Sequence, residues 1–273
     1  MVFFESDEGV ANMDFGHLIY ASPLWLLFVF TMVFSMLGVG VGTWLARLAL
    51  RHEAKEPEAP LGSLVSAVLG LLAFILAFTF GMTAARFDAR RALVLEESNA
   101  VGTTYLRAGL LPEPRRLEVR RLLREYVDSR LKPTLGSLHE ALLESEKIHR
   151  LLWAQAELLV QEKMDPQLRT LFVTSLNEVI DLHQSRKTVA LLYRIPGPIW
   201  LAVYLLSTLT MVAIGYQVGM AGARWLRGMP VMTAAFSLVI VMIADIDRPG
   251  EGNIVVSQQP LADVKQMMLQ DAP

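Results

Sequence analysis

From Leu61 to Ala85 the chain carries no charged side chain; from there on Arg86, Asp88, Arg90, Arg91, Glu96 and Glu97 follow within four turns, and no proline intervenes. This pattern predicts one long helix that crosses a bilayer and continues into water as a charged amphipathic helix. The apolar run is long enough for a hydrocarbon core of about 30 Å, and a helix satisfies its own backbone hydrogen bonds inside lipid. Three more apolar runs predict spans. Leu24 to Ala46 follows Ser22-Pro23 and has Trp25 and Trp44 near its ends, where interfacial aromatic residues are expected. Ile199 to Met220 follows the re-entry signal Arg194-Ile195-Pro196, and Met229 to Ala244 closes on Asp245-Ile246-Asp247-Arg248-Pro249-Gly250, which predicts a helix break at the interface.

The polar block between the second and third spans is punctuated as four helices. The first is the extension of the second span through Leu111, ended by Pro112 and Pro114. The second is Arg115 to Lys132, with Leu117, Leu122, Leu123, Tyr126, Val127 and Leu131 at roughly helical spacing, ended by Pro133 and Gly136. The third, Ser137 to Met164, opens on a capping box of Ser137 and Glu140. The fourth has Asp165 as N-cap and Pro166 at the first helical position, and continues to about Tyr193. No segment alternates like a strand. The expected fold is therefore an all-α membrane protein with four transmembrane helices and a helical cytosolic module between the second and third. Residues 1–22 form a polar lead, 23–85 the first two spans, 86–194 the module, 195–246 the last two spans and 247–273 a tail. That tail holds one short amphipathic turn around Leu261 to Leu269.

Composition agrees with a membrane location, since 53% of residues are hydrophobic. A net charge of −2 is too balanced to suggest nucleic acid as a partner. The absence of cysteine removes disulfides, thiolate metal sites and thiol catalysis. The acidic N-terminal stretch predicts no cleavable signal. The module holds 18 of the 25 Lys and Arg, against 15 acids, so the positive-inside rule places it and both termini in the cytoplasm. Arg47, Arg51, Lys55, Arg224 and Arg227 then lie outside, against the rule. No nucleophile–base pattern and no Gly-rich phosphate loop is present, so no enzyme is expected.

The phrases LLAFILAFTF, RFDARRALVLEESNAVGTTYLRAGLLPEP, REYVDSRL and ADIDRPGEG resemble the bestrophin-like family of bacterial membrane proteins, itself remotely similar to bestrophin anion channels. The similarity runs from about Leu61 onward. It implies a bestrophin-like ion channel in the bacterial inner membrane. Its partners would be the lipid bilayer, further copies of itself in a homopentamer, and small anions such as chloride. It also implies a narrow apolar neck on the second transmembrane helix. Matching the Arg–aromatic–aromatic phrase of bestrophins to Arg86-Phe87-Asp88 puts the neck at Phe74 and Phe78, with Gly70 one turn further up. Asp88 departs from the aromatic of that phrase, and Gly70 from a bulkier apolar residue.

The residue types leave alternatives open. Phe74 and Phe78 stand i, i+4 on one helix face with Gly70, Ala77 and Gly81 nearby. Such a face forms either an apolar constriction that gates by dewetting or a close helix–helix contact through small residues. Arg86, Asp88 and Arg90 form either a collar that concentrates anions below a pore or an interfacial anchor with internal ion pairs. Asp245, Asp247 and Glu251 surround a Pro-Gly turn; oxygen-rich turns bind calcium, and the same residues serve equally as a helix stop. No other cofactor is expected. His183, with Arg186 and Asp181, has no second His at metal spacing and reads as a packing or ion-pair site. A coupled transporter needs a carboxylate inside the membrane, and the spans from Leu61 to Ala85 and Ile199 to Met220 have none. Passive anion conduction is the expected function. The alternative is a stator-like or scaffold assembly that acts through a protein partner.

Overall fold

The computed structural model of the chain describes residues 19–20, 22–51, 58–132, 138–191, 193–222, 227–248 and 252–271. Among these residues all regular structure is helical. The helices are α1 (Leu24–Arg51), α2 (Glu58–Ala108), α3 (Arg115–Leu131), α4 (Leu138–Gln161), α5 (Pro166–Leu191), α6 (Gly197–Ala221), α7 (Met229–Asp247) and α8 (Gln259–Gln270). Four of them are long and apolar enough to cross a membrane: α1, α2, α6 and α7. The chain divides into two compact units, one of residues up to Ala85 with Arg194–Ile254, the other Arg86–Tyr193 with Val255–Pro273.

In the first unit α1 packs along α6 with almost no side chain between the backbones. Gly42 of α1 lies against Gly215 of α6, Gly38 against Met211, and Gly219 of α6 against Thr43 and Ala46 of α1. A Cβ on Gly42 would lie 2.6 Å from the backbone nitrogen of Tyr216, and one on Gly215 would lie 2.8 Å from Val39 Cα. Lipid offers no hydrophobic drive for this contact, so the small residues contribute by admitting close backbone approach and dispersion. The hydroxyls of Thr31 and Tyr204 meet across it at 2.9 Å. Leu72 and Leu76 of α2 join Trp200, Val203 and Tyr204 of α6 and Ile240 and Ile243 of α7 in one apolar cluster. Pro198 sits in the first turn of α6, where its missing N–H costs nothing.

In the second unit α2 through Ala108, α3, α4, α5 and α8 close around Val101, Tyr105, Leu122, Leu123, Tyr126, Leu152, Leu159, Phe172 and Leu176. Asp165 caps α5 as its sequence predicts, its Oδ1 accepting from the backbone N–H of Gln167 at 2.9 Å and Leu168 at 3.0 Å. The capping residue expected for α4, Ser137, lies outside the described residues. The tail is more than a turn. α8 buries Leu261 and Met268 in the unit and is tied down by Lys265–Asp128 at 2.7 Å and Arg120–Asp271 at 2.9 Å. The hydroxyls of Ser98 and Tyr105 donate to the carbonyls of Pro260 and Met268.

Candidate functional site

On α2 the apolar surface divides by helical phase. Leu72 and Leu76 are buried, as are Thr79 and Thr83, whose hydroxyls donate to the carbonyls of Ile75 and Phe80 one turn back. No hydroxyl on this stretch is left as a polar demand on a neighbour. Phe74 and Phe78 lie on the other side, 65% and 60% exposed. A Cβ added at Gly70 or at Gly81 would meet no atom within 4 Å. Gly70, Phe74 and Phe78 thus stand together on a face that the chain itself does not cover.

Past Ala85 the three residues of the expected collar fare differently. Asp88 is exposed and Arg86 half-buried. Arg90 is buried, with its guanidinium carbon 6.0 Å from the centre of the Phe87 ring. Arg90 is therefore packed into its own unit, and Asp88 is the charge of the three that faces out. Further along, Glu96 of α2 and Glu178 and Asp181 of α5 line an open groove of about 490 Å³ together with Thr174, Asn177 and Ser185.

The acids at the end of α7 take up structural partners. The helix ends at Asp247, inside the Asp245–Gly250 stretch where its sequence predicts the break, and distant donors receive both carboxylates. Asp247 is fully buried. Its Oδ2 accepts the backbone N–H of Ile195 at 2.9 Å and the hydroxyl of Tyr20, and Tyr20 in turn accepts from Trp200 Nε1 at 3.1 Å. Burial and the Asp247 carboxylate push the Tyr20 hydroxyl well above its usual pKa. Asp245 Oδ1 accepts from Asn253 N at 2.9 Å. Gly252 approaches that carboxylate with φ +122°, a conformation and a closeness that a side chain would not permit. Arg248 donates to the carbonyls of Ile19 at 2.5 Å and Ser22 at 2.6 Å. Glu251, the third residue of the calcium reading, lies outside the described residues. Asp245 and Asp247 face N–H and O–H donors, and among the described residues no group of three acidic or histidine side chains converges as a metal site.

The second unit holds a polar cluster that linear spacing does not announce. Glu97 of α2 has no exposed surface. Its carboxylate accepts from the Tyr126 hydroxyl and from Arg186 Nη1, and Arg130 of α3 approaches it at 3.3 Å. Burial alone would raise its pKa; Arg130 and Arg186 outweigh that and hold the carboxyl below its usual value. His183, read from sequence as a packing or ion-pair residue, stacks nearly perpendicular to His149 of α4 with ring centres 4.8 Å apart. Its Nδ1 lies 3.3 Å from the Tyr126 hydroxyl. Burial, followed by the charge of Arg130 for His183, lowers both histidines to about 4. The members come from four helices: Glu97 from α2, Tyr126 and Arg130 from α3, His149 from α4, and His183 and Arg186 from α5.

Exposed aromatics on a membrane-spanning helix and a polar knot at the last span in one unit, and a buried acid-and-arginine cluster in the other, define a polytopic helical membrane protein with a second, helical unit. A family profile described as the Bestrophin-like domain matches residues 25–261. The chain belongs to the Bestrophin-like family. The crystal structure of a bacterial bestrophin homolog from Klebsiella pneumoniae, phased on zinc, shares the fold at a TM-score of 0.63 and 13% identity, over 91% of this chain and 98% of that one. Two single-site variants of that homolog superpose with TM-scores of 0.66 and 0.65 at 13% and 14% identity, over 92% and 89% of this chain and 98% of each variant. Among curated proteins none matches the sequence.

Proposed function

We propose that the protein is an oligomeric, pentameric ion channel of the bacterial inner membrane, with both termini cytoplasmic, that conducts small anions passively through an apolar neck on α2. One observation carries the reading: Phe74 and Phe78 share a helix face with Gly70 and Gly81 that this chain leaves bare. Repeated around a symmetry axis, such a face forms a ring of aromatic edges. Those edges carry partial positive charge, and the ring excludes water when it closes. The test is chloride flux from liposomes carrying the purified protein alone, with the oligomer mass measured on the same sample and with calcium present or chelated. Phe74→Ala and Phe78→Ala are expected to raise flux and weaken ion discrimination. A conducting protein whose flux and selectivity both variants leave unchanged would remove the neck from α2.

A second reading, cation conduction, is favoured by the exposed Asp88 beside the buried Arg90 and by the acidic groove of Glu96, Glu178 and Asp181. Carboxylates repeated around a pore mouth concentrate cations. Reversal potentials in a potassium chloride gradient separate the two, and Asp88→Asn shifts them toward anions only under the second. A well-behaved oligomer without flux in any condition points instead to the stator-like or scaffold assembly.

A further inference from the structure

The pairing of His149 and His183 is not explained by conduction. Both rings are buried, 7% and 3% exposed, on helices α4 and α5. Glu97, held ionised by two arginines, can only accept, so the Tyr126 hydroxyl donates its one proton to it. His183 Nδ1, facing the same hydroxyl oxygen, is then the donor of that pair. The relay fixes the Nδ1–H tautomer and leaves Nε2 of His183 as a bare lone pair. That nitrogen is buried without a hydrogen-bond partner, and so is His149 Nε2. A proton arriving at either Nε2 finds no acceptor.

Charge bookkeeping around the pair points the same way. From α2 comes Glu97; from α3, Tyr126 and Arg130; from α4, Glu146; from α5, Arg186 and Lys187. Glu97 is already shared between two arginines, and Glu146 is engaged by Lys187 at 2.7 Å near the surface. The neutral Gln258 takes the other amino group of Arg186. A charged histidine would be a third buried cation around one carboxylate.

We propose that His149 and His183 form an acid-operated latch of the helical module. Uncharged, the stacked rings close the α3–α4–α5 interface over Tyr126; charged, they are expelled toward water and release the clamp on Glu97 and with it helix α2. The sign follows from linkage. Opened rings bind protons near the ordinary value of about 6.5, while closed ones resist down to about 4. Opening is therefore favoured as pH falls through this window, by up to about tenfold per pH unit for each histidine. The inference stands on the module's geometry and not on the channel reading.

The test is hydrogen–deuterium exchange on the full-length protein in detergent micelles at pH 7.5, 6.0 and 5.0, corrected for intrinsic exchange. Peptides covering 141–160 and 176–191 are compared with control peptides from α1 and α6. Wild type is expected to lose at least tenfold protection in the module peptides between pH 7.5 and 5.0, and the double variant H149F/H183F to lose little. Unchanged wild-type protection down to pH 5.0, or the same loss in the double variant, overturns the latch. Nitrogen-15 NMR of labelled histidine in the wild-type protein gives a readout that needs no variant. A proton on Nδ1 of His183 with no titration near 6.5 supports the latch, and an Nε2–H tautomer or ordinary titration in a protected module overturns it.

Discussion

Replacing Glu97 by Gln isolates the charge at the centre of the helical module. The substitution keeps shape and volume but removes the anion shared by Arg130 and Arg186, whose side chains are only 12% and 15% exposed. It also turns one of the two oxygens into an NH2, which then faces Arg130 together with either Tyr126 or Arg186, so a donor meets donors on that side. Breaking one side of a buried ion pair typically costs about 3–5 kcal/mol. The partial exposure of the two arginines puts this site at the lower end, about 3 kcal/mol, or roughly a hundredfold in the opening equilibrium. Tyr126→Phe removes one neutral hydroxyl from the same carboxylate and is expected to cost about 1 kcal/mol. The assay is hydrogen exchange at pH 7.5 in peptides of α3 and α5, the helices that supply Arg130 and Arg186. A loss for Glu97→Gln no larger than that for Tyr126→Phe would mean that the two arginines do not depend on the charge. The sign with pH is also fixed. Glu97 has a depressed pKa, so its contribution is full above the usual carboxylate range and disappears only as pH falls through its lowered value.

Gly215→Leu is expected to abolish monodisperse folded protein in size-exclusion chromatography, since its Cβ alone would lie 2.8 Å from Val39 Cα in a backbone contact that cannot give way. Gly70→Leu on the uncovered face is expected to leave the elution profile unchanged. Tyr20→Phe removes a donor to the buried Asp247 and orphans Trp200 Nε1, and is expected to lower thermal stability by about 1–3 kcal/mol. A melting curve indistinguishable from wild type would show that the Ile195 N–H satisfies Asp247 without it.

The four spans and the long α2 are legible because their signal is local and large: a charge-free run followed by dense charge leaves a helix few alternatives. The start of α5 is legible for the same reason, Asp165-Pro166 being a cap and a first-turn residue side by side. What sequence did not reveal depends on partners far along the chain. The break after α7 is legible but its partners are not, since Asp247 is received by Tyr20 and Ile195, 227 and 52 residues away. His183 reads as an isolated histidine because its companion His149 lies on another helix, beyond any metal-ligand spacing. The burial of Arg90 is not legible because helical phase alone does not say which side of α2 the module covers. The bare face around Phe74 and Phe78 is legible as a pattern, and its use is decided by what stands opposite it.

The place of α8 in the module has a consequence for biosynthesis. Met268 belongs to the same apolar core as Leu122 and Phe172, yet between them the ribosome must deliver α6 and α7. Helices α3 to α5 therefore emerge with one wall of their core missing, and they wait while two membrane segments are inserted. Domains generally fold as units during synthesis, and incomplete ones expose apolar surface. Completion of the module therefore waits for α8, translated after α7, so a product truncated just after α7 retains α1, α2, α6 and α7 and still lacks a finished module.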